Sequence, residues 1–339
     1  MNVLITGGLG FIGLALTRAL LAGGHRVSVL DDGSTAPGAH DQAADAARLT
    51  PGPAPPCFRG DVADPGIGTV FDAVRPEAVI HLAARASVVE SLREPLACTR
   101  VNVCGTVNVL QHSLACGVRR FVFASTGGAL YGESPFGPMS ETAPAAPVSP
   151  YGASKAAAEA YVGAMSRSGA IRCTVLRLGN VYGPAPAAAA APGVVAAFAR
   201  AMLAGRRPVI YGDGLAERDF VHIDDVVEAH RLALGMTGDD VFNIASGRAR
   251  TVREVFDAVA AAAGYEGEPE FAPPRPGELR ISRLDVGWAR RELGWRARVP
   301  FARGVARTVA SMRAPVEVAA PGEPAGIADP GRGLHGNAP

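Results

Sequence analysis

A glycine-rich turn between a strand pattern and a helix pattern constrains the fold of this chain more than any other feature. Residues 2–6 form an aliphatic and β-branched run that predicts a buried strand, and residues 14–22 predict a helix. The glycines between them fit G-x-x-G-x-x-G and G-x-G-x-x-G: Gly7, Gly8, Gly10 and Gly13. In both patterns, amides at a helix N-terminus face a pyrophosphate that a Cβ would obstruct. One match is weak in a chain with 41 glycines, but the flanking strand and helix favour a dinucleotide site.

A second predicted strand, residues 27–30, ends in two aspartates, Asp31 and Asp32. Asp31 lies 18 residues after Gly13. A carboxylate at this place accepts hydrogen bonds from the adenosine ribose and repels a 2′-phosphate. No arginine follows within several residues, so the sequence favours NAD over NADP. The alternative is an exposed loop aspartate without a ligand.

Further apolar runs recur at helix-length intervals, at residues 78–82, 120–125 and 173–178. This alternation predicts an α/β fold in which a doubly wound parallel sheet carries helices on both faces. Ligands bind at the carboxyl ends of such strands. His81 and the hydroxyls of Ser125 and Thr126 fall at those ends, although a satisfied core histidine is the favoured interpretation of His81 and turn chemistry is the alternative for the hydroxyls.

The chain has one lysine, Lys155, among 33 basic residues. It follows Tyr151 by four residues in a run rich in helix formers, so phenol and ammonium share one helical face. A nearby cation favours the phenolate, which predicts a lowered Tyr151 pKa and a general base. The alternative is an amphipathic helix with one chance lysine.

Composition excludes several classes of function. A net charge of +1 does not indicate binding to nucleic acid or to an anionic membrane. The sequence contains no run of 18 apolar residues, so no transmembrane helix is expected. The first residues lack the basic region of a signal peptide, so a cytoplasmic location is expected. Five cysteines without C-x-x-C suggest reduced core thiols, and the seven histidines show no metal motif, so no metal is expected.

Taken in order, these motifs resemble the extended short-chain dehydrogenase/reductase family, which is the NAD-dependent epimerase/dehydratase family. Within it the chain is most similar to the nucleotide-sugar epimerases of the UDP-glucose 4-epimerase type, over about residues 1–312. The resemblance implies a Rossmann-type sheet with a smaller α/β substrate-binding domain. It implies an NAD-binding domain at 1–179 with 219–236 returning to it, a nucleotide-sugar domain at 180–218 and 237–312, and a disordered tail at 313–339.

The resemblance also implies site residues. Tyr151 is the base and acid, Lys155 binds the nicotinamide ribose, and Thr126, with Ser125 as the alternative, supplies the catalytic hydroxyl. Asn102 supports this network. The implied NAD contacts are made by Gly7, Gly10, Phe11, Ile12, Gly13, Asp31, Asp32, Asp61, Val62, Leu82, Ala83, Ala84, Asn102, Tyr151 and Lys155.

For the substrate, the resemblance implies a UDP-sugar anchored by its diphosphate on Arg218 and Arg275. The remaining implied contacts are Thr126, Asn180, Val195, Tyr211, Glu278 and Ser282. Residues 185–192 are alanine and proline throughout, where close bacterial relatives carry polar residues. Ser282 stands where family members restricted to plain hexoses carry a tyrosine, which predicts room for a 2-acetamido group.

The implied activity is a 4-epimerase that interconverts UDP-glucose and UDP-galactose through a 4-keto sugar. A dehydratase is disfavoured because Gly127 and Gly128 replace the Asp-Glu pair of such enzymes. The remaining alternatives are another epimerase or a 4-ketoreductase, acting on UDP-glucuronate, dTDP-sugars or GDP-sugars, and a non-catalytic NAD-sensing module. Residues 95–116 and 152–168 predict long helices, which in this family form a four-helix bundle across a homodimer.

Overall fold

The computed structural model describes residues 1–34, 54–185 and 193–313 of the chain. Seven parallel strands form its central sheet, in the order β10-β6-β5-β4-β1-β2-β3. These strands are β1 (Asn2–Thr6), β2 (Arg26–Asp31), β3 (Cys57–Arg59), β4 (Ala78–His81), β5 (Arg120–Thr126), β6 (Arg172–Leu178) and β10 (Asp240–Ile244). The strand order reverses between β1 and β4, which is where such sheets form a ligand crevice.

Helices cover both faces of this sheet. They are α1 (Phe11–Ala22), α2 (Gly68–Val74), α3 (Val88–Arg93), α4 (Pro95–Thr99), α5 (Gly105–Ala115), α6 (Gly127–Leu130), α7 (Pro150–Arg167), α9 (Ile223–Gly235) and α11 (Gly287–Glu292), with a 3₁₀ turn at Pro65–Ile67 and a π turn at Arg100–Cys104. One face packs Ile5, Ile80 and Val122 against α1 and α9. The other packs Phe121 and Phe123 against α5 and α7.

A second lobe has its own core, which includes Tyr182, Phe198, Phe220, Phe256 and Val305. It contains α8 (Gly193–Leu203), α10 (Val252–Ala263), α12 (Phe301–Arg313) and two small sheets built from β7 (Asn180–Tyr182), β9 (Glu217–His222) and β11 (Ala249–Thr251), and from β8 (Val209–Tyr211) and β12 (Glu270–Ala272). Among the described residues, no helix combines the length and the apolar character that a membrane span requires.

The predicted fold class is confirmed, and the predicted strands of the large sheet begin and end within one or two residues of the observed ones. The segment predicted as one long helix from 95 to 116 is instead α4, the π turn and α5 in succession. The helix predicted at 152–168 begins two residues earlier, because the Ser149 side chain caps it by accepting from Gly152 N–H at 3.2 Å.

One predicted domain boundary differs from the structure. Strand β10, assigned from the sequence to the nucleotide-sugar domain at 237–312, pairs with β6 at the edge of the large sheet, because Phe242 and Ile244 are buried in that core. Trp295 belongs to the same core. The other boundaries stay predictions. Arg313, which was assigned to the tail, ends α12, and residues 314–339 lie outside the described residues, as do 186–192.

Candidate active site

The glycine turn between β1 and α1 leaves no room for side chains. Gly7 has φ +72°, and a Cβ built on it would lie 2.7 Å from the backbone nitrogen of Ala83. A Cβ on Gly13 would lie 2.2 Å from the carbonyl oxygen of Gly7. Gly10 is the N-cap of α1 and offers no side chain to its first amides. The turn therefore brings the amides of Phe11 and Ile12 to the crevice beside the loop that follows β4, as an anion site requires.

Asp31 braces this turn from the end of β2. Its carboxylate accepts from Leu9 N–H at 2.9 Å and from Gly33 N–H at 2.9 Å, and the side chain is buried. Asp32, next to it, accepts from Ser34 N–H at 2.9 Å. Both predicted carboxylates thus lie at the carboxyl edge of the sheet, with Asp31 fixed next to the glycines.

Asp61 lies beside Asp31, because Gly60 N–H donates to the Asp31 carbonyl at 3.0 Å. Its carboxylate accepts from Ala63 N–H at 2.8 Å and forms an ion pair with Arg100. The side chain of Val62 is buried against the helix face, so only its backbone is available to a ligand. The sequence did not indicate the Arg100 partner.

We give the name catalytic group to the residues predicted to act in the chemical step, Thr126, Tyr151 and Lys155, together with Asn102, which is predicted to support them. Tyr151 lies in the first turn of α7, and the side chain of Thr126 lies near its phenol. Lys155 is buried, and its Nζ donates to the carbonyl of Ala124 at 2.8 Å and lies 4.6 Å from the centroid of the Phe123 ring. Strand β5 and helix α7 therefore bring the hydroxyl, the phenol and the ammonium together.

The expected lowering of the Tyr151 pKa by Lys155 is not found. Burial raises the pKa of Tyr151 to about 12, although the Thr126 hydroxyl opposes the rise. Burial also lowers the pKa of Lys155 to about 8, with Glu159 opposing it. Lys155 directs its charge to the Ala124 carbonyl, and the cost of burying the phenolate dominates.

Thr126, and not Ser125, is the hydroxyl that influences the Tyr151 pKa. The Oγ atom of Ser125 is buried, without a hydrogen-bond partner among the described residues. His81 is the core histidine that the sequence favoured: its ring nitrogens lie 2.6 Å from the Thr6 hydroxyl and 2.9 Å from the Thr106 hydroxyl. Burial, and then the charge on Lys155, lower the pKa of His81 to about 3.

Asn102 ties the loop after β4 to the catalytic helix. It lies in the π turn and is buried, and its amide donates to Ser154 Oγ at 2.9 Å and to the carbonyl of Arg85 at 3.0 Å. Its carbonyl oxygen accepts from Arg85 N–H at 2.8 Å. Through these bonds Asn102 fixes the chain that follows Leu82, Ala83 and Ala84, next to Gly7.

The anchor group consists of Tyr211, Arg218, Arg275 and Glu278. The guanidinium of Arg275 stacks 3.7 Å from the Tyr211 ring centroid, and its Nη1 lies 3.8 Å from Glu278 Oε1. Burial lowers the pKa of Arg218, and the charge of Glu278 opposes this. A bridge between Glu217 and Ile281 sets β9, which carries Arg218, beside the segment that follows Glu278.

The other residues predicted to contact the substrate lie in three different places. Asn180 Oδ1 lies 3.2 Å from a Cβ built on Gly128, next to the end of β5. Ser282 is buried, and its N–H donates to the Glu217 carbonyl at 3.1 Å. Val195 is 1% exposed within the core of the second lobe, so its side chain packs in that core and does not line an open site.

Two groups of supporting residues were missed by the sequence reasoning. Glu159 continues the Tyr151 and Lys155 face of α7 by four residues, which is the spacing that would have found it. It pairs with Arg177 at 2.7 Å, and Arg177 also donates to the Tyr131 hydroxyl at 2.7 Å. Ser91 had no local signal in the sequence, because its partner, the N–H of Tyr151, lies 60 residues away.

These features fit a dinucleotide of the NAD type. The cradle at Gly7 and Gly13 is closed to any Cβ, the first amides of α1 have no side-chain cap, and Asp31 is held beside them. Asp31 offers an acceptor to a ribose and repels a 2′-phosphate. The residues that would hold the pyrophosphate, the ribose and the nicotinamide end lie along one crevice, at the carboxyl ends of β1, β2, β4 and β5.

Comparison with known proteins supports the same assignment. The model of the NAD dependent epimerase/dehydratase family matches residues 3–245. A UDP-glucose 4-epimerase of Mycolicibacterium smegmatis is 40% identical over 314 residues, covering 92% of this chain and 99% of that protein. A Thermotoga maritima UDP-glucose 4-epimerase structure with UDP-glucose gives a TM-score of 0.85 at 39% identity, and a Thermus thermophilus UDP-glucose 4-epimerase structure with NAD gives 0.82 at 41%. Each structural match covers 92% of this chain and 99% of the other.

Proposed function

The chain belongs to the NAD-dependent epimerase/dehydratase family, and from this we propose that it is a UDP-glucose 4-epimerase that uses NAD. One observation carries the proposal: Thr126, Tyr151 and Lys155 converge at the end of β5, beside a glycine cradle built for a dinucleotide. The anchor group places two arginines where a nucleotide diphosphate can be held. The relative named UDP-glucose 4-epimerase that is 40% identical over 92% of this chain supports the same assignment.

When bound at the glycine cradle, NAD+ would supply a reversible hydride acceptor for C4 of the sugar. Tyr151 takes the C4 hydroxyl proton and gives it back, while the Thr126 hydroxyl stabilises the charge that develops on oxygen. Because burial raises the Tyr151 pKa to about 12, the phenol holds its proton strongly and needs positive charge nearby to act as a base. Lys155 donates to the Ala124 carbonyl, and we propose that its ammonium holds the nicotinamide ribose.

The anchor group holds the nucleotide while the sugar turns. Arg218 and Arg275 present planar guanidinium groups, which meet phosphate oxygens bidentately. Binding energy is thereby placed on the diphosphate, away from the reacting carbon. The 4-keto sugar stays attached by its diphosphate while its ring presents the other face.

Elimination chemistry, the second activity of this family, is disfavoured by packing at the end of β5. A Cβ on Gly127 would lie 2.6 Å from Cδ1 of Leu284, and one on Gly128 would lie 3.2 Å from Asn180 Oδ1. An acidic side chain at either place therefore has no room without displacing its neighbour. We expect no 4-keto-6-deoxy product from dTDP-glucose.

The direct test is an NMR assay of the purified protein with UDP-galactose and no added cofactor. We expect UDP-glucose to form without lasting absorbance of NADH, and the protein to carry bound NAD. UDP-glucuronate and dTDP-glucose serve as alternative substrates in parallel samples. Turnover of either one, with UDP-galactose unchanged, would contradict the proposed substrate.

The small buried Ser282 favours acceptance of N-acetylhexosamine nucleotides as well. It lies four residues after Glu278, where a tyrosine would fill the space. UDP-N-acetylglucosamine should be epimerised by the wild-type protein and lost as a substrate in Ser282→Tyr, with UDP-glucose turnover retained. Absence of turnover of UDP-N-acetylglucosamine by the wild type would rule this out.

We also propose a homodimer through the faces of α4, α5 and α7. Leu96 is 84% exposed and Tyr161 is 47% exposed on these helices. Ala153, Ala160 and Ala164 form an exposed, small-residue face on α7 beside Tyr161, over which a second helix can approach closely. Light scattering should give twice the chain mass, and Tyr161→Glu should shift the protein to a monomer. A wild-type monomer at all concentrations would contradict this arrangement.

A further inference from the structure

Helix α3, a short segment between β4 and the π turn, contacts both halves of the site. We infer that α3 is a positioning element with two faces: Ser91 fixes the backbone of Tyr151, and Leu92 with Val88 supports the loop that carries Arg275 and Glu278. The inference rests on the proposed function and adds residues that no motif assigns to it.

The first face of α3 holds the catalytic tyrosine. The hydroxyl of Ser91 accepts from Tyr151 N–H at 3.1 Å and donates to the Val88 carbonyl at 2.7 Å, so both of its roles are fixed. The N–H of Tyr151 is one of the first amides of α7, which have no partner within their own helix. Ser91 is 2% exposed, so water cannot readily replace it.

The second face of α3 lies against the anchor loop. A Cβ built on Gly277 would lie 3.1 Å from Cδ1 of Leu92 and 3.6 Å from Cγ1 of Val88. Val88 and Leu92 are four residues apart and share one side of the helix. Gly277 has φ +75°, so the loop turns at the point where it meets α3. Arg275 and Glu278 flank this turn.

The six residues of α3 thus contact both Tyr151 and the loop around Gly277. The helix is held at its own start by Ser87, whose side chain accepts from Glu90 N–H at 3.1 Å. Adjacent positions on a helix point in different directions, so Ser91 can face α7 while Leu92 faces the loop. The position of the proton-transferring phenol and the position of the diphosphate anchor are therefore set by one rigid segment.

Substitutions on the two faces of α3 should have different effects, one on kcat and the other on the affinity for UDP. Ser91→Ala should lower kcat about tenfold with KM and the Kd for UDP nearly unchanged, because a small displacement of Tyr151 affects the chemical step alone. Leu92→Ala should raise the Kd for UDP about fivefold and leave kcat nearly unchanged, because the loop loses its support. Ser91→Thr keeps the hydroxyl and should restore kcat.

The experiment is calorimetry with UDP together with steady-state epimerisation of UDP-galactose, on the full chain. Arg93→Ala, on an exposed position of the same helix, is the matched control and should match the wild type. Thermal melting identifies any variant that fails to fold. If Ser91→Ala does not fold, kcat of Ser91→Thr tests the role of the hydroxyl instead. Loss of UDP affinity in Ser91→Ala, or unchanged affinity in Leu92→Ala, would overturn the inference.

The calorimetric difference also separates this inference from the proposed function. A wild-type protein that binds UDP but does not epimerise UDP-galactose counts against the proposed reaction. The dependence of UDP affinity on Leu92 and its independence of Ser91 would still support the role of α3. An equal effect of both variants on UDP affinity, with epimerisation intact, counts against α3 alone.

Discussion

The catalytic group and the anchor group lie in the same site but are built differently. In the catalytic group, Lys155 and Asn102 are buried, and each is held by hydrogen bonds to backbone or hydroxyl groups at 2.8–3.0 Å. In the anchor group, the side chains of Arg275 and Glu278 are 42% and 37% exposed, and Tyr211 is 38% exposed. The proposed chemical step therefore depends on buried side chains, whereas the proposed binding of the nucleotide depends largely on side chains that are partly exposed.

The buried cations sharpen the contrast. Arg177 is neutralised by the Glu159 carboxylate, which raises the pKa of Arg177, and it links α7 to Tyr131. Lys155 has a carbonyl and a ring for neighbours, and burial lowers its pKa to about 8. Arg177 is thus paired with a carboxylate, whereas the charge of Lys155 is compensated mainly by a carbonyl and a ring. Four substitutions test the difference between the catalytic group and the anchor group, and they follow from the largest expected effect to the smallest.

The largest effect is expected for Tyr151→Phe. In the proposed reaction the phenol oxygen moves the proton, so its loss should lower kcat by about 10³-fold. KM for UDP-galactose and bound NAD should change little, because the ring and its backbone contact to Ser91 remain. Tyr161→Phe, an exposed tyrosine on the same helix, is the control and should retain full activity. Retention of wild-type kcat by Tyr151→Phe would remove the catalytic group from the mechanism.

Lys155→Met should move activity and stability in opposite directions. We expect kcat to fall by about 10²-fold, because the ammonium that would hold the nicotinamide ribose is gone. The folded-state pKa of Lys155, about 8, is below its ordinary 10.5. Below pH 8 the wild type therefore carries the full cost of a buried charge, and this cost disappears as the pH rises from about 8 to 10.5. At neutral pH the variant should gain up to about 3 kcal/mol, less the lost hydrogen bond to Ala124.

The measurement is thermal melting of both proteins across that pH range. The gap in Tm should be widest at neutral pH and should narrow as the wild type loses the Lys155 proton. A wild type that melts above Lys155→Met at neutral pH would show that the ammonium stabilises the fold, as Arg177 does.

The sequence predicted the part of this comparison that depends on local patterns. The glycine turn, the Tyr151 and Lys155 spacing and the order of the strands are periodic or contiguous features, and the structure bears out the predicted turn and strands. The direction of the Tyr151 pKa was predicted wrongly, because burial is a property of the packed site and outweighs a charge four residues away. Ser91, Arg177 and the π turn around Asn102 were missed, since their partners lie far along the chain.

Arg218→Met tests the better buried of the two anchoring arginines. Burial lowers the pKa of Arg218, and its guanidinium donates to the Glu217 carbonyl at 2.9 Å, so it is desolvated before any diphosphate arrives. KM for UDP-galactose should rise about 10- to 50-fold, with kcat changed less than threefold. Arg250→Met, the register partner of Arg218 on β11, is the control. A fall in kcat with unchanged KM would place Arg218 in the catalytic group.

The smallest effect is expected for Arg275→Ala. This arginine is 42% exposed and stacks on Tyr211, so water screens its charge and the contact with a diphosphate is weaker. KM should rise about threefold, and raising the salt concentration should remove most of the difference, whereas the effect of Arg218→Met should persist. Arg253→Ala, an exposed arginine paired with Asp257 in the second lobe, is the matched control. Equal salt sensitivity of the two arginine variants would contradict the expected difference between a buried Arg218 and an exposed Arg275.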